Sequence, residues 1–189
     1  YFFFYFVSET DRSAIALFTN FVLRFVVDGV TIRVQVVKAG TAIIAPEVEE
    51  RTGYTFAWDK LPEVMPANDL TITGSYIVNK YKITYMVDGV VHATDSIAYG
   101  TEITALAAPV KEGHTFSGWS DVPETMPAAD VTVTGSFLVN KYEITYVVDG
   151  EVFHTDSVSY GSELTAIAAP TKEGHTFSGW SEIPATMPA

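Results

Sequence analysis

Large apolar side chains alternate with other residues through Tyr81-Lys-Ile-Thr-Tyr-Met-Val87. A period of two over seven residues is that of a β-strand with one buried face, here Tyr81, Ile83, Tyr85 and Val87. Asp88-Gly89 follows, and Asp-Gly between two β-rich runs predicts a tight hairpin turn. A second strand then runs through residues 91–99 to Gly100. Residues 101–108 read either way: their Ala and Leu content permits a short helix, and Pro109 would stop one. Residues 115–119 form a third strand, with Phe116 its inward anchor and Trp119 close behind. Two prolines in residues 121–130 predict loop. Val131-Thr-Val-Thr134 alternates again, valines in and threonines out, and Phe137 packs beyond a break at Gly135.

This pattern is written three times. Trp58, Trp119 and Trp180 stand 61 residues apart, as do Met65-Pro66, Met126-Pro127 and Met187-Pro188. A fixed period is the signature of modules strung in a line. Residues 21–79, 80–140 and 141–189 are read as repeats one, two and three, the third truncated before its last strand. The Asp-Gly turns recur as Asp28-Gly29 and Asp149-Gly150. Repeat one has drifted: Phe21, Leu23, Phe25 and Val27 form its strand face, and Ala57 stands where the others have Ser-Gly. Asn140-Lys141-Tyr142 leads straight from repeat two into repeat three, a connection short enough to predict a stiff array. Residues 1–20 match no repeat start and are read as the degraded tail of an upstream module.

Composition narrows the classes. A module of about 60 residues buries little and leans on its neighbours or on close packing. Aromatic residues, 13% of the chain, supply bulky core material. The net charge of −12 repels phosphate backbones and anionic lipid, which argues against nucleic-acid and membrane-surface partners. There is no cysteine, so disulfides, thiolate metal sites and cysteine nucleophiles are excluded. No run reaches the roughly 18 apolar residues of a membrane span. With no initiator Met and no signal pattern, the chain reads as part of a longer protein whose secretion signal and anchor lie elsewhere.

Lys-Glu-Gly-His-Thr-Phe-Ser-Gly-Trp119, followed by Pro-Glu-Thr-Met-Pro-Ala-Ala-Asp-Val-Thr-Val-Thr-Gly-Ser-Phe137, resembles the Listeria–Bacteroides repeat, the B-repeat type found in internalins. The resemblance covers residues 21–189. It implies a mostly β, at most α+β, array of small β-grasp-like modules, each a four-stranded sheet with a short helical or irregular crossover. It also implies an extracellular position at the surface of a bacterium, and no catalysis.

Side-chain chemistry points the same way. His114 and His175 are one position in successive repeats, held by Tyr54 in the first, so the ring reads as a packing or edge residue. His92 aligns with Phe153 and is not equivalent to His154. No second ligand recurs beside any of them, and no metal or other cofactor is expected. Asp88 and Asp149 lack the Asp-x-Asp-x-Asp-Gly spacing of a calcium loop, and turn geometry explains them. No serine sits in a nucleophile elbow and no glycine-rich phosphate loop occurs, so no catalytic residue is assigned. Trp58, Trp119 and Trp180, with Phe56, Phe116 and Phe177, are read as structural anchors, since what each module needs to fold must recur in each. Ser96 and Ser157, each between an Asp and an apolar residue, match a short O-glycosylation acceptor pattern. Lys80 and Lys141 follow Asn79 and Asn140, but nothing in the sequence shows the buried Lys and carboxylate of a Lys–Asn cross-link.

The reading is an extracellular stalk or adhesin segment whose partners are its neighbouring repeats. Two alternatives belong to other classes. One is a module binding glycan or a host surface protein through its aromatic face. The other is a subunit of an extracellular filament, joined to other copies of the chain through the open edge of repeat three.

Overall fold

A computed structural model describes residues 20–189. The tail reading of residues 1–20 therefore lies, Asn20 apart, outside the described residues. In module one, β1 (Asn20–Val27), β2 (Val30–Lys38), β3 (Tyr54–Trp58) and β4 (Leu70–Val78) form one sheet in the order β2-β1-β4-β3. The outer pairs are antiparallel and the central β1–β4 pair is parallel. Module two repeats this order with β5 (Lys80–Val87), β6 (Val90–Ala98), β7 (His114–Trp119) and β8 (Val131–Val139). In module three, β9 (Lys141–Val148) and β10 (Glu151–Ser159) form a two-stranded sheet.

A parallel pair needs a crossover, usually a helix. Here the crossover is irregular, and no helix occurs among the described residues. Residues 101–108 thus resolve against the helical alternative. Their backbone bonds outward instead. Gly100 N–H donates to the Met126 carbonyl at 2.9 Å, Met126 N–H to Thr101 at 2.9 Å, and Ile103 N–H to Glu124 at 2.9 Å. The same ties join Gly40 and Thr41 to Met65, and Gly161 and Ser162 to Met187. These bonds satisfy groups that would be costly to leave unpaired near the core, so the segment covers the sheet without coiling.

The core sits between this cover and one sheet face. In module one Leu23, Phe25, Met65 and Ile72 are each no more than 2% exposed, with Trp58, Ile43 and Ala45 packed against them. At the equivalent positions of the second repeat Ile83, Tyr85 and Val133 are buried, and so is Met126, the counterpart of Met65. Burying one such side chain contributes about 1.5–3 kcal/mol, a large share of what a module this small commands.

Two sequence expectations are corrected. β8 passes through Gly135 without a break and continues to Val139. The second strand of module two is β6, Val90–Ala98, so Tyr99 falls just outside it. The Ser-Gly insertion also gains a physical account. β3 pairs regularly with β4, whereas β7 shifts register between Phe116 and Trp119, a β-bulge with Gly118 at φ 94°. The extra residue bulges out, so Trp119 faces Gly135 as Trp58 faces Gly74.

The chain divides into two compact units. One joins module one to Ile97–Thr101 and Met126–Ala129; the other holds Lys82–Ser96, Glu102–Thr125 and Asp130–Ala189.

Candidate functional site

The three tryptophans lie half-buried on the core side of their modules. Trp119 meets Tyr85 and Phe116 edge-on at 5.0 and 4.9 Å, and Trp180 meets Tyr146 and Phe177 at 5.1 and 4.8 Å. Trp58 meets Phe25 and Phe56 in the same manner. Edge-to-face contacts at this separation suit the ring quadrupoles. Trp119 Nε1–H donates to the Leu106 carbonyl at 2.7 Å, and Trp180 Nε1–H to Ile167 at 3.0 Å. His92 and Phe153, equivalent by position, each lie tilted near a tryptophan, at 6.3 and 6.1 Å.

Each hairpin Asp does more than turn the chain. Asp28, Asp88 and Asp149 have φ of 48°, 51° and 53°, and Gly29, Gly89 and Gly150 follow at 82°, 80° and 85°, the two positive values of a type I′ turn. Asp88 N–H donates to the Gly135 carbonyl at 3.0 Å, while its carboxylate accepts Phe137 N–H at 3.0 Å. Asp28 holds Gly74 and Tyr76 in the same way. A basic residue completes the arrangement: Arg51 pairs with Asp28 at 2.9 Å and stacks 3.7 Å from the Tyr76 ring centre. At the far end, Asp69 and Asp130 accept Val22 and Lys82 N–H, each at 2.8 Å.

Sequence reasoning found the short connection between modules but not the contacts that hold it. A single residue, Asn79, separates β4 from β5. Its N–H donates to Gly53 at 2.8 Å, its carbonyl accepts Tyr99 N–H at 2.9 Å, and its side chain accepts the Thr55 hydroxyl at 2.7 Å. Asn140 repeats all three with Gly113, Tyr160 and Thr115, at 2.8, 2.8 and 2.6 Å. The rings close the joint. A Cβ on Gly53 would stand 2.2 Å from the Tyr99 ring, and one on Gly113 would stand 2.2 Å from the Tyr160 ring. Tyr54 and His114 flank these rings edge-on at 5.9 and 5.8 Å. The first joint lies wholly within one compact unit and the second wholly within the other. The recurrence of Gly53, Gly113 and Gly174 was the available signal, together with Tyr99 and Tyr160 directly before a turn glycine.

Ser96 and Ser157 are exposed on β6 and β10, each with its N–H held at 2.7 Å by the preceding Asp. His175 is exposed, and its Nδ1 lies 2.9 Å from the Glu173 carbonyl. Among the described residues, no group of three His, Asp or Glu side chains converges as metal ligands would.

With this geometry in hand, residues 21–72, 81–136 and 142–185 match the family model of the Listeria-Bacteroides repeat domain. The chain belongs to that family. It is 36% identical over 116 residues to Internalin H of Listeria monocytogenes, covering 55% of this chain and 20% of that protein. A protein of Evansella cellulosilytica, named as a membrane protein, is 29% identical over 158 residues, covering 71% of this chain and 24% of the other. The chain thus spans about a quarter or less of these relatives. Streptococcal High Identity Repeats in Tandem domains 3–4, from a cell surface protein, align with a TM-score of 0.33 at 18% identity, covering 63% of this chain and 96% of that one. The Listeria-Bacteroides repeats here form a β-rich tandem segment of the kind carried by surface proteins.

Proposed function

We propose that the repeats serve as a stiff, non-catalytic extracellular spacer, a stalk or adhesin segment holding a distal part of a bacterial surface protein away from the cell. The observation that carries this reading is the joint. One connecting asparagine, two backbone hydrogen bonds, a side-chain bond and a tyrosine over a glycine recur at both junctions. Each contact removes a rotation that a flexible linker would keep. Near-identical joints add nearest-neighbour stability in the manner of repeat proteins. The recurring polar residues support the non-catalytic part, because Asp28, Asp88, Asp69, Asp130, Asn79 and Asn140 hold backbone groups in place.

Small-angle scattering of this chain and of chains with modules one to two alone tests the spacer. The expected result is a maximum dimension that grows by a constant step per module. Modules folded back on one another would refute it.

A further inference from the structure

Asp is followed by Ser or Thr at two places in the chain, Asp95-Ser96 and Asp156-Ser157, and an apolar residue, Ile97 or Val158, comes next at both. The fold puts the two serines at one position. Ser96 stands on β6 where Ser157 stands on β10, and Val36 holds that place on β2. Val36 lies opposite Val22, which alternates with the buried Leu23, so the position is on the solvent face of the sheet. Val36 is 70% exposed there. Asp95, Ser96, Asp156 and Ser157 are exposed as well, while Ile97 and Val158 are half-buried. We infer that Ser96 and Ser157 are acceptors of an O-linked glycan, transferred to the serine hydroxyl from a glycosyl diphosphate donor.

The acceptor triplet is presented in the same way twice. The N–H of Ser96 donates to the Asp95 carboxylate, and that of Ser157 to Asp156, each at 2.7 Å. On β6, the outermost strand of the order β6-β5-β8-β7, this local bond satisfies a backbone donor that would otherwise favour pairing with a further strand. It also fixes a carboxylate beside the hydroxyl, a feature that a transferase can read without opening the sheet. Other serines are used differently. The Ser117 and Ser136 hydroxyls bond each other at 3.0 Å, and the Ser120 hydroxyl accepts Thr134 N–H at 2.9 Å. In the transfer, Ser Oγ attacks the anomeric carbon of the donor. The Oγ–carbon bond forms as the bond from that carbon to the diphosphate breaks. The diphosphate leaves with the electron pair, and the hydroxyl proton passes to a base of the transferase. A neutral sugar suits a site preceded by Asp in a chain of charge −12, where a phosphate would add repulsion. On an outermost strand it also blocks edge-to-edge pairing between chains.

This inference needs export of the chain but not its stiffness, so a flexible array would leave it standing. The test exports the full chain from a bacterium with general protein O-glycosylation and measures its intact mass. The expected result is two added glycan masses, located by electron-transfer fragmentation at Ser96 and Ser157. Ser96→Ala and Ser157→Ala should each lose one, and Asp95→Ala should lose the Ser96 glycan alone. Gln35→Asp combined with Val36→Ser, directly ahead of Val37, should gain a third glycan on β2. An unmodified chain from a host whose other exported proteins are glycosylated would overturn the inference. So would glycan retained when both serines are replaced, or an added mass that a phosphatase removes.

Discussion

The Tyr160 ring covers Gly113 so closely that a methyl group there would stand 2.2 Å from its Cγ and Cδ1. Tyr160→Ala is therefore expected to uncouple modules two and three while leaving each sheet folded. Urea unfolding should change from one cooperative transition toward two, as a nearest-neighbour term is lost. Gly113→Val should cost more, because Gly113 has φ 67° and a left-handed residue with a Cβ adds about 1–2 kcal/mol to the collision. Unchanged cooperativity in both variants would count against the joint.

Trp119→Ala should destabilise module two by about 3 kcal/mol, the low end for emptying a large aromatic site, because the ring is half-buried. Trp119→Phe keeps the edge contacts with Tyr85 and Phe116 and loses the bond to Leu106, at about 1 kcal/mol. Thermal melts of both variants separate packing from hydrogen bonding.

Met126 was a marker of the repeat in the sequence and is a core residue in the fold, 1% exposed. Met126→Ala should cost about 2–5 kcal/mol and loosen the cover, read as faster amide exchange at Gly100 and Ile103. A cost under about 1 kcal/mol would show that the cover holds without it.

Gly118 should be removable. Deleting it gives β7 the regular pairing of β3, so a loss below about 1 kcal/mol is expected, whereas Gly118→Val meets the left-handed penalty of about 1–2 kcal/mol. Calorimetry on the pair of variants checks the order.

What the sequence disclosed was local. The faces of β1 and β5, the Asp-Gly turns and the strand from Val131 follow from a period of two and from turn chemistry. The cover over the sheet was not legible, since residues 101–108 are compatible with a helix until their backbone finds residues 124–126. Tyr99 and Tyr160 were hidden for the same reason. An aromatic residue at the end of a strand run looks like one more strand position, and its partner glycine lies in the preceding module, beyond any periodicity. The Met-Pro pairs showed their spacing but not their burial, because loop composition around them masks a core contact.

The parallel central pair has a mechanical consequence. β1 opens a module and β4 closes it, and they lie side by side with Leu23 beside Leu70 and Val27 beside Gly74. Tension applied at the two ends of such a module pulls these strands along their length in opposite directions. Every hydrogen bond between them is then loaded in shear at once, instead of being opened one by one as in a peeled hairpin. A repeat built this way resists stretching with its whole central ladder, and it yields only when that ladder slips as a body.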